Sequence, residues 1–183
     1  MNLGKSLFSL CAGLLLCACS EVYVSQPVGD EPLVLDDSWT GTWLSDGHIM
    51  HTVVVDAEKG LLQAAWIEPG ENGFELQQYP VQVRQSGEYR FVSIPDEEDG
   101  QGYVWALVKK ESSEILLWSP DPGKFAALVR AGEFPGRMQE PENPDNDTVV
   151  LEKLEAEALE LVVDPATGLL DWQDPLVMER LVD

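Results

Sequence analysis

From residue 49 to residue 118 the chain alternates its side chains with a period of two, and short clusters of Gly, Pro, Asn, Asp and Ser break the pattern at intervals. Successive side chains of an extended strand point to opposite faces, so this period is that of strands packed on one side or both. Gly41 to Leu44 opens the series and Ser45-Asp46-Gly47 turns it. Ile49 to Asp56 puts Ile49, His51, Val53 and Val55 on one face and Met50, Thr52 and Val54 on the other. Glu58-Lys59-Gly60 leads into Leu61 to Glu68, which carries Leu62, Ala64 and Trp66 on one face. Pro69 to Gly73 leads into Phe74 to Arg84, where the apolar face switches from Phe74 and Leu76 to Tyr79, Val81 and Val83. A bulge near Gln77-Gln78 would produce that switch. Glu88 to Ile94, Tyr103 to Lys110 and Ile115 to Trp118 complete seven strands with short connections. The expected fold is mainly β: an antiparallel meander closing into a small, about eight-stranded barrel or curved sheet, since closure removes exposed edges.

After Trp118 the period lengthens. Asp121 is a suitable helix cap, Pro122 suits the first helical position and Gly132 the end, with Phe125, Leu128 and Val129 as the apolar stripe. Pro135 to Asp147 reads as a loop and Thr148 to Leu151 as the eighth strand. Leu151, Leu154, Ala158 and Leu161 recur at helical spacing, so one or two short C-terminal helices are expected. The tail from Leu169 to Leu181 is apolar enough to dock on the body.

The N-terminus is of another kind. Lys5 precedes ten residues, Leu7 to Leu16, that are apolar throughout but for one serine. A membrane-crossing helix needs roughly 20 apolar residues, so this is the length of a signal peptide rather than a permanent span. The run Leu16-Cys17-Ala18-Cys19 that closes it resembles the lipobox of bacterial lipoproteins. The resemblance implies cleavage before Cys19, a thioether-linked diacylglycerol on its sulfur and an acyl group such as palmitate on the new amino terminus. Ser20 in the next position, rather than Asp, implies export to the outer membrane of a Gram-negative bacterium. The alternative is a plainly secreted chain with incidental cysteines. All three cysteines, Cys11, Cys17 and Cys19, lie in this segment, so the remainder of the chain has none with which to form a disulfide. The expected division is a signal peptide over 1–18, a lipidated tether rich in Pro, Gly and acids over 19–37, and one mainly-β domain over 38–183. Trp39, at the tether boundary, is expected to be less enclosed than Trp43.

Charge narrows the partners. The chain carries 33 acidic and 11 basic side chains, a net charge of -22. Binding nucleic acid needs clustered Lys and Arg, and gripping anionic lipid electrostatically needs a basic segment, so neither is expected. Membrane attachment is expected through the covalent anchor instead.

Few residues suggest chemistry. Gly41-Thr42-Trp43 resembles the Gly-x-Trp signature of lipocalins, which include lipidated bacterial members; it implies a barrel whose closed end is plugged by Trp43. The alternative is that Trp43 is a core aromatic of some other small barrel. His48 and His51 are the only histidines, and three apart on a strand they face opposite ways, so no shared metal is expected. Asp96 to Gly102 and Asp145-Asn146-Asp147 are oxygen-rich but match no twelve-residue calcium loop. No nucleophile elbow marks a hydrolase. No cofactor and no catalysis are expected. The candidate ligand-binding residues are the strand aromatics Trp66, Tyr89, Phe91 and Trp105, and the candidate lipid-attachment site is Cys19. The expected role is that of an outer-membrane-anchored module facing the periplasm, binding a small apolar molecule or an envelope protein. The alternative is a non-catalytic structural or assembly accessory of the envelope.

Overall fold

A computed structural model describes residues 21–70, 73–96, 100–139 and 148–181. The signal-like segment with its cysteines, the Asp145 to Asp147 loop and residues 97–99 of the other acidic loop lie outside these. Two short strands come first, β1 (Val22–Val24) and β2 (Glu31–Pro32). A 3-10 turn, Asp37–Trp39, precedes β3 (Gly41–Ser45), β4 (His48–Asp56), β5 (Leu61–Gly70) and β6 (Gly73–Ser86). Then follow β7 (Tyr89–Pro95), β8 (Tyr103–Lys110), β9 (Glu114–Trp118) and helix α1 (Pro122–Ala131). The chain ends in β10 (Gly136–Met138), β11 (Val149–Leu151), α2 (Ala156–Val163) and β12 (Leu176–Arg180).

Strands β3 to β9 form the expected meander, and the sheet closes through β12, which pairs with β3 on one side and β9 on the other. The result is a closed, eight-stranded antiparallel barrel. The eighth barrel strand is therefore the tail Leu176–Arg180, not Thr148 to Leu151. Val149–Leu151 instead pairs in parallel with β1, which lies antiparallel to the first residues of β8. Strand β8 divides its free edge: Tyr103 and Val104 hold β1, while Leu107 to Lys110 hold β9.

Four other expectations need correction. Residues 22–37 do not read as a tether in the structure: Val22, Tyr23, Val24, Val28 and Leu35 are buried, and the backbone N–H of Val28 donates to the buried Ser93 Oγ at 3.1 Å. No bulge interrupts β6 at Gln77-Gln78. Its pairing with β5 runs unbroken from Leu61↔Gln82 to Gly70↔Gly73, so Phe74 and Leu76 face outward, and the register shift lies between Val54 and Asp56 instead. Helix α2 begins only at Ala156 and buries Leu159, Val162 and Val163, leaving Leu161 exposed. Trp39, only 5% exposed, is nearly as enclosed as Trp43.

Two apolar clusters hold the body. The first fills the barrel with Trp43, Leu62, Ala64, Val81, Val83, Val92, Ala106, Val108, Ile115, Leu117 and Met178. The second lies outside the wall, where Phe91, Trp105 and Leu107 pack under β1, β11 and the two helices. Each large side chain so buried stabilises the fold by about 1.5–3 kcal/mol. Helix α1 has the caps its sequence suggests: Asp121 accepts from the Lys124 N–H at 3.0 Å, and Gly132 takes the left-handed conformation at φ 72°.

The barrel's closed end is built around Trp43. Its indole is fully buried and donates to Thr52 Oγ1 at 2.8 Å; that hydroxyl in turn donates to the Trp39 carbonyl at 2.5 Å. Arg180, on the last strand, lays its guanidinium 5.3 Å from the Trp43 ring centre and donates to the carbonyls of Ser38 at 3.0 Å and Thr40 at 2.9 Å. The last barrel strand is thereby tied to the 3-10 turn that opens the first. Gly41 makes room for this, because a Cβ there would stand 3.2 Å from the guanidinium carbon. Lys110 also reaches over Trp39 and Trp43, and partial burial holds its amine below the usual value against the pull of Asp36.

Candidate functional site

Away from the Arg180 end, the inward alternation finishes in partly exposed side chains. Met50 from β4, the cross-strand partner of both Trp43 and Trp66, packs on the inner cluster with Trp66 from β5, Ile94 from β7 and Leu176 from β12. Trp66 and Tyr79 stack with ring centroids 4.9 Å apart and planes 18° off parallel. The register explains the pair. Tyr79 faces Ala64 directly, and the small alanine leaves the tyrosine free to lean along the strand onto its diagonal neighbour Trp66. The Trp66 indole N–H donates to Glu68 Oε1 at 2.6 Å. Glu68 pairs across the hairpin with Glu75, so two carboxylates stand beside each other on the same inner face of β5 and β6. The mouth thus offers a half-exposed aromatic face with acidic oxygens above it. Such a surface suits an apolar or cationic group, since ring faces and carboxylates both attract positive charge.

The four aromatics expected to bind ligand are not brought together. Trp66 is at the mouth. Phe91 and Trp105 face the other side of the wall, 6.4 Å apart, with Phe125 of α1 packed edge-on against Trp105 at 6.1 Å. Tyr89 also points outward, into a shallow groove of about 440 Å³ beside Glu160, Val163, Asp164 and Pro165 at the end of α2. A second groove of about 450 Å³ runs between the helices, lined by Lys124, Leu128, Phe134, Leu161 and Leu169 among others. Sequence reasoning missed Tyr79 and Glu68 as partners of Trp66. Counting the hairpin outward from Gly70 and Gly73 would have found the Trp66 and Tyr79 diagonal.

His51 donates or accepts with Thr42 Oγ1 at 3.0 Å on the outer face, while His48 pairs with the inward Ser45. Among the described residues no group of His, Cys, Asp and Glu is arranged to hold a metal ion. Among them also, no helix is long and apolar enough to cross a membrane. No protein-family model matches the chain, and neither a curated protein nor a solved structure matches it.

Proposed function

We propose that this chain is a lipoprotein, lipidated on Cys19 and held at the periplasmic face of the outer membrane, that works without catalysis as a binding or assembly module of the envelope. The observation that carries the binding mode is the filled barrel. From Trp43 at the closed end to Trp66 at the mouth, inward side chains form one apolar cluster, so partners are met by surfaces rather than swallowed. The closed-end position of Trp43 in Gly41-Thr42-Trp43, and the helix that follows the seventh meander strand, support a lipocalin-like reading of the barrel. A second reading, a small apolar ligand gripped at the rim, is favoured by the half-exposed Trp66–Tyr79 stack.

The anchor is tested by Cys19→Ala in the native host, expected to lose lipid labelling and to leave the membrane fraction; normal processing and retention would refute it. The two binding modes separate by native mass spectrometry of the mature protein from that host. Polypeptide plus acyl mass alone supports surface binding. A retained small molecule that disappears in Trp66→Ala would replace it with the rim-ligand reading.

A further inference from the structure

The outer wall of the barrel is covered unevenly. At β7 and β8 it lies under β1, β11 and the helices. Around the closed circuit β4 lies opposite β8, and there the wall is bare. Ile49, Val53, Val55, Ile67, Phe74 and Leu76 all point outward from β4, β5 and β6, and all are more than half exposed, Phe74 reaching 82%. The register places Ile67 directly beside Leu76 and Pro69 beside Phe74, so the side chains form one patch. From their exposures these six present on the order of 700 Å² of surface, above the roughly 300–600 Å² of the largest patch on a typical monomer.

Charge sets this face apart from the rest of the molecule. The outward positions between Ile49 and Val55, Gln63 and Pro69, and Phe74 and Pro80 include no acidic residue and no lysine or arginine; the register shift puts Asp56 at the margin, opposite Leu61, where it is paired with Lys59 at 2.8 Å. The carboxylates of the same hairpin, Glu68 and Glu75, are turned to the mouth side by the period-two alternation. This face of twelve outward positions is apolar or neutral in a chain with 33 acidic residues.

We propose that this face joins two copies of the chain, β4–β6 against β4–β6, about a two-fold axis. An isologous contact uses the same patch on both partners, and a standard interface needs about 800 Å² from each, which this patch with its polar margins supplies. Two bodies of charge near -22 repel wherever carboxylates meet; on this face the one acid at the margin, Asp56, is neutralised by Lys59. Acids on the far sides stand beyond the Debye length of about 10 Å at 0.1 M salt and are screened. The contact therefore tightens as salt rises, opposite to the response of a basic partner. The barrel has no free edges, so the pairing is face to face. Lipidation on Cys19, which rests on the reading above, adds to this by confining both copies to one membrane and raising their effective concentration. The N-terminal strand β1 lies on β8, opposite the patch, so the described N-terminal residues stay clear of the contact.

The test uses the full chain in its own membrane, with one cysteine introduced at a time and a short bis-maleimide cross-linker. Val53→Cys, Ile67→Cys and Phe74→Cys span the patch; Ala127→Cys, exposed on α1, is the control. The wild-type chain reports any reaction at Cys19, so failure of the lipidation reading shows separately. Expected are a dimer as the main product at the central Ile67→Cys, only a trace at Ala127→Cys, a higher yield in high salt, and loss of the dimer when Leu76→Glu is added. These side chains are exposed, so the substitutions leave the fold intact. Equal yields at patch and control, an adduct whose mass is not twice that of the chain, or a yield falling with salt would overturn the proposal. So would a monomer whose introduced cysteines are shielded from a water-soluble thiol reagent, which would show the face against lipid.

Discussion

Gly41→Ala is a small change with a traceable consequence. The added Cβ falls 3.2 Å from both Cζ and Nη2 of Arg180 and 3.5 Å from the Trp43 ring, so the guanidinium must move by a few tenths of an ångström. That group makes two charge-assisted bonds, to Ser38 O at 3.0 Å and Thr40 O at 2.9 Å. Hydrogen bonds to charged groups contribute about 1.5–3 kcal/mol each. Stacking of the guanidinium on Trp43 adds about 0.5–2 kcal/mol. Against these stands the intrinsic gain of Ala over Gly in a regular element, about 0.5–1 kcal/mol. Losing one carbonyl bond and loosening the stack thus leaves a net cost of about 1–3 kcal/mol. At about 2–4 °C per kcal/mol for a domain of this size, the melting temperature falls by roughly 2–12 °C. The assay is thermal unfolding of the wild type, Gly41→Ala, Arg180→Ala and the double variant. With Arg180 removed the alanine has nothing to displace, so its cost vanishes and the intrinsic gain shows. The same loss in both backgrounds would refute the argument, because non-additivity is what reports a shared contact.

Two other expectations test the closed end. Trp43→Ala removes a fully buried indole and its bond to Thr52, a cost of about 3–5 kcal/mol; because Trp39 is also buried, Trp39→Ala should lower the denaturant midpoint to a comparable degree, and a small effect at either site would contradict the packing. Asp36 accepts from the Ser38 hydroxyl and from its N–H at 2.9 Å, and this holds its carboxyl below the ordinary 3.8. A lowered carboxyl stabilises the fold above its unfolded value and loses that contribution as pH falls through the folded one. Asp36→Ala should therefore melt earlier than the wild type at pH 7, with the gap closing below pH 3.8; a gap constant with pH would show that the carboxylate charge plays no part.

The local signals in the sequence determined more of the fold than of the site. Period two located the meander strands, and Asp121, Pro122 and Gly132 located α1, because alternation and caps are properties of a few neighbouring residues. Alternation also placed Trp66 with Leu62 and Ala64 on one face, and so on the inner wall. It could not say which face of β7 and β8 is inner. Both faces there are buried, Val92 and Ala106 by the barrel and Phe91 and Trp105 by the helix layer, so the pattern lacks the polar side that marks an outside. Alternation alone therefore does not separate Phe91 and Trp105 from Trp66. Nor could it find the closing strand. Val149–Leu151 and Leu176–Arg180 are both short apolar runs, and only the free edges of β3 and β9, distant in sequence, select the second and leave the first to β1. The N-terminal segment makes the same point. Pro, Gly and acids between residues 21 and 37 read as a tether, yet Val22–Val24 completes the edge of β8 and Arg180 fastens the 3-10 turn beneath Trp43. Composition reports what a segment prefers alone; the unpaired edge and the uncovered indole that hold it exist only once the barrel has closed.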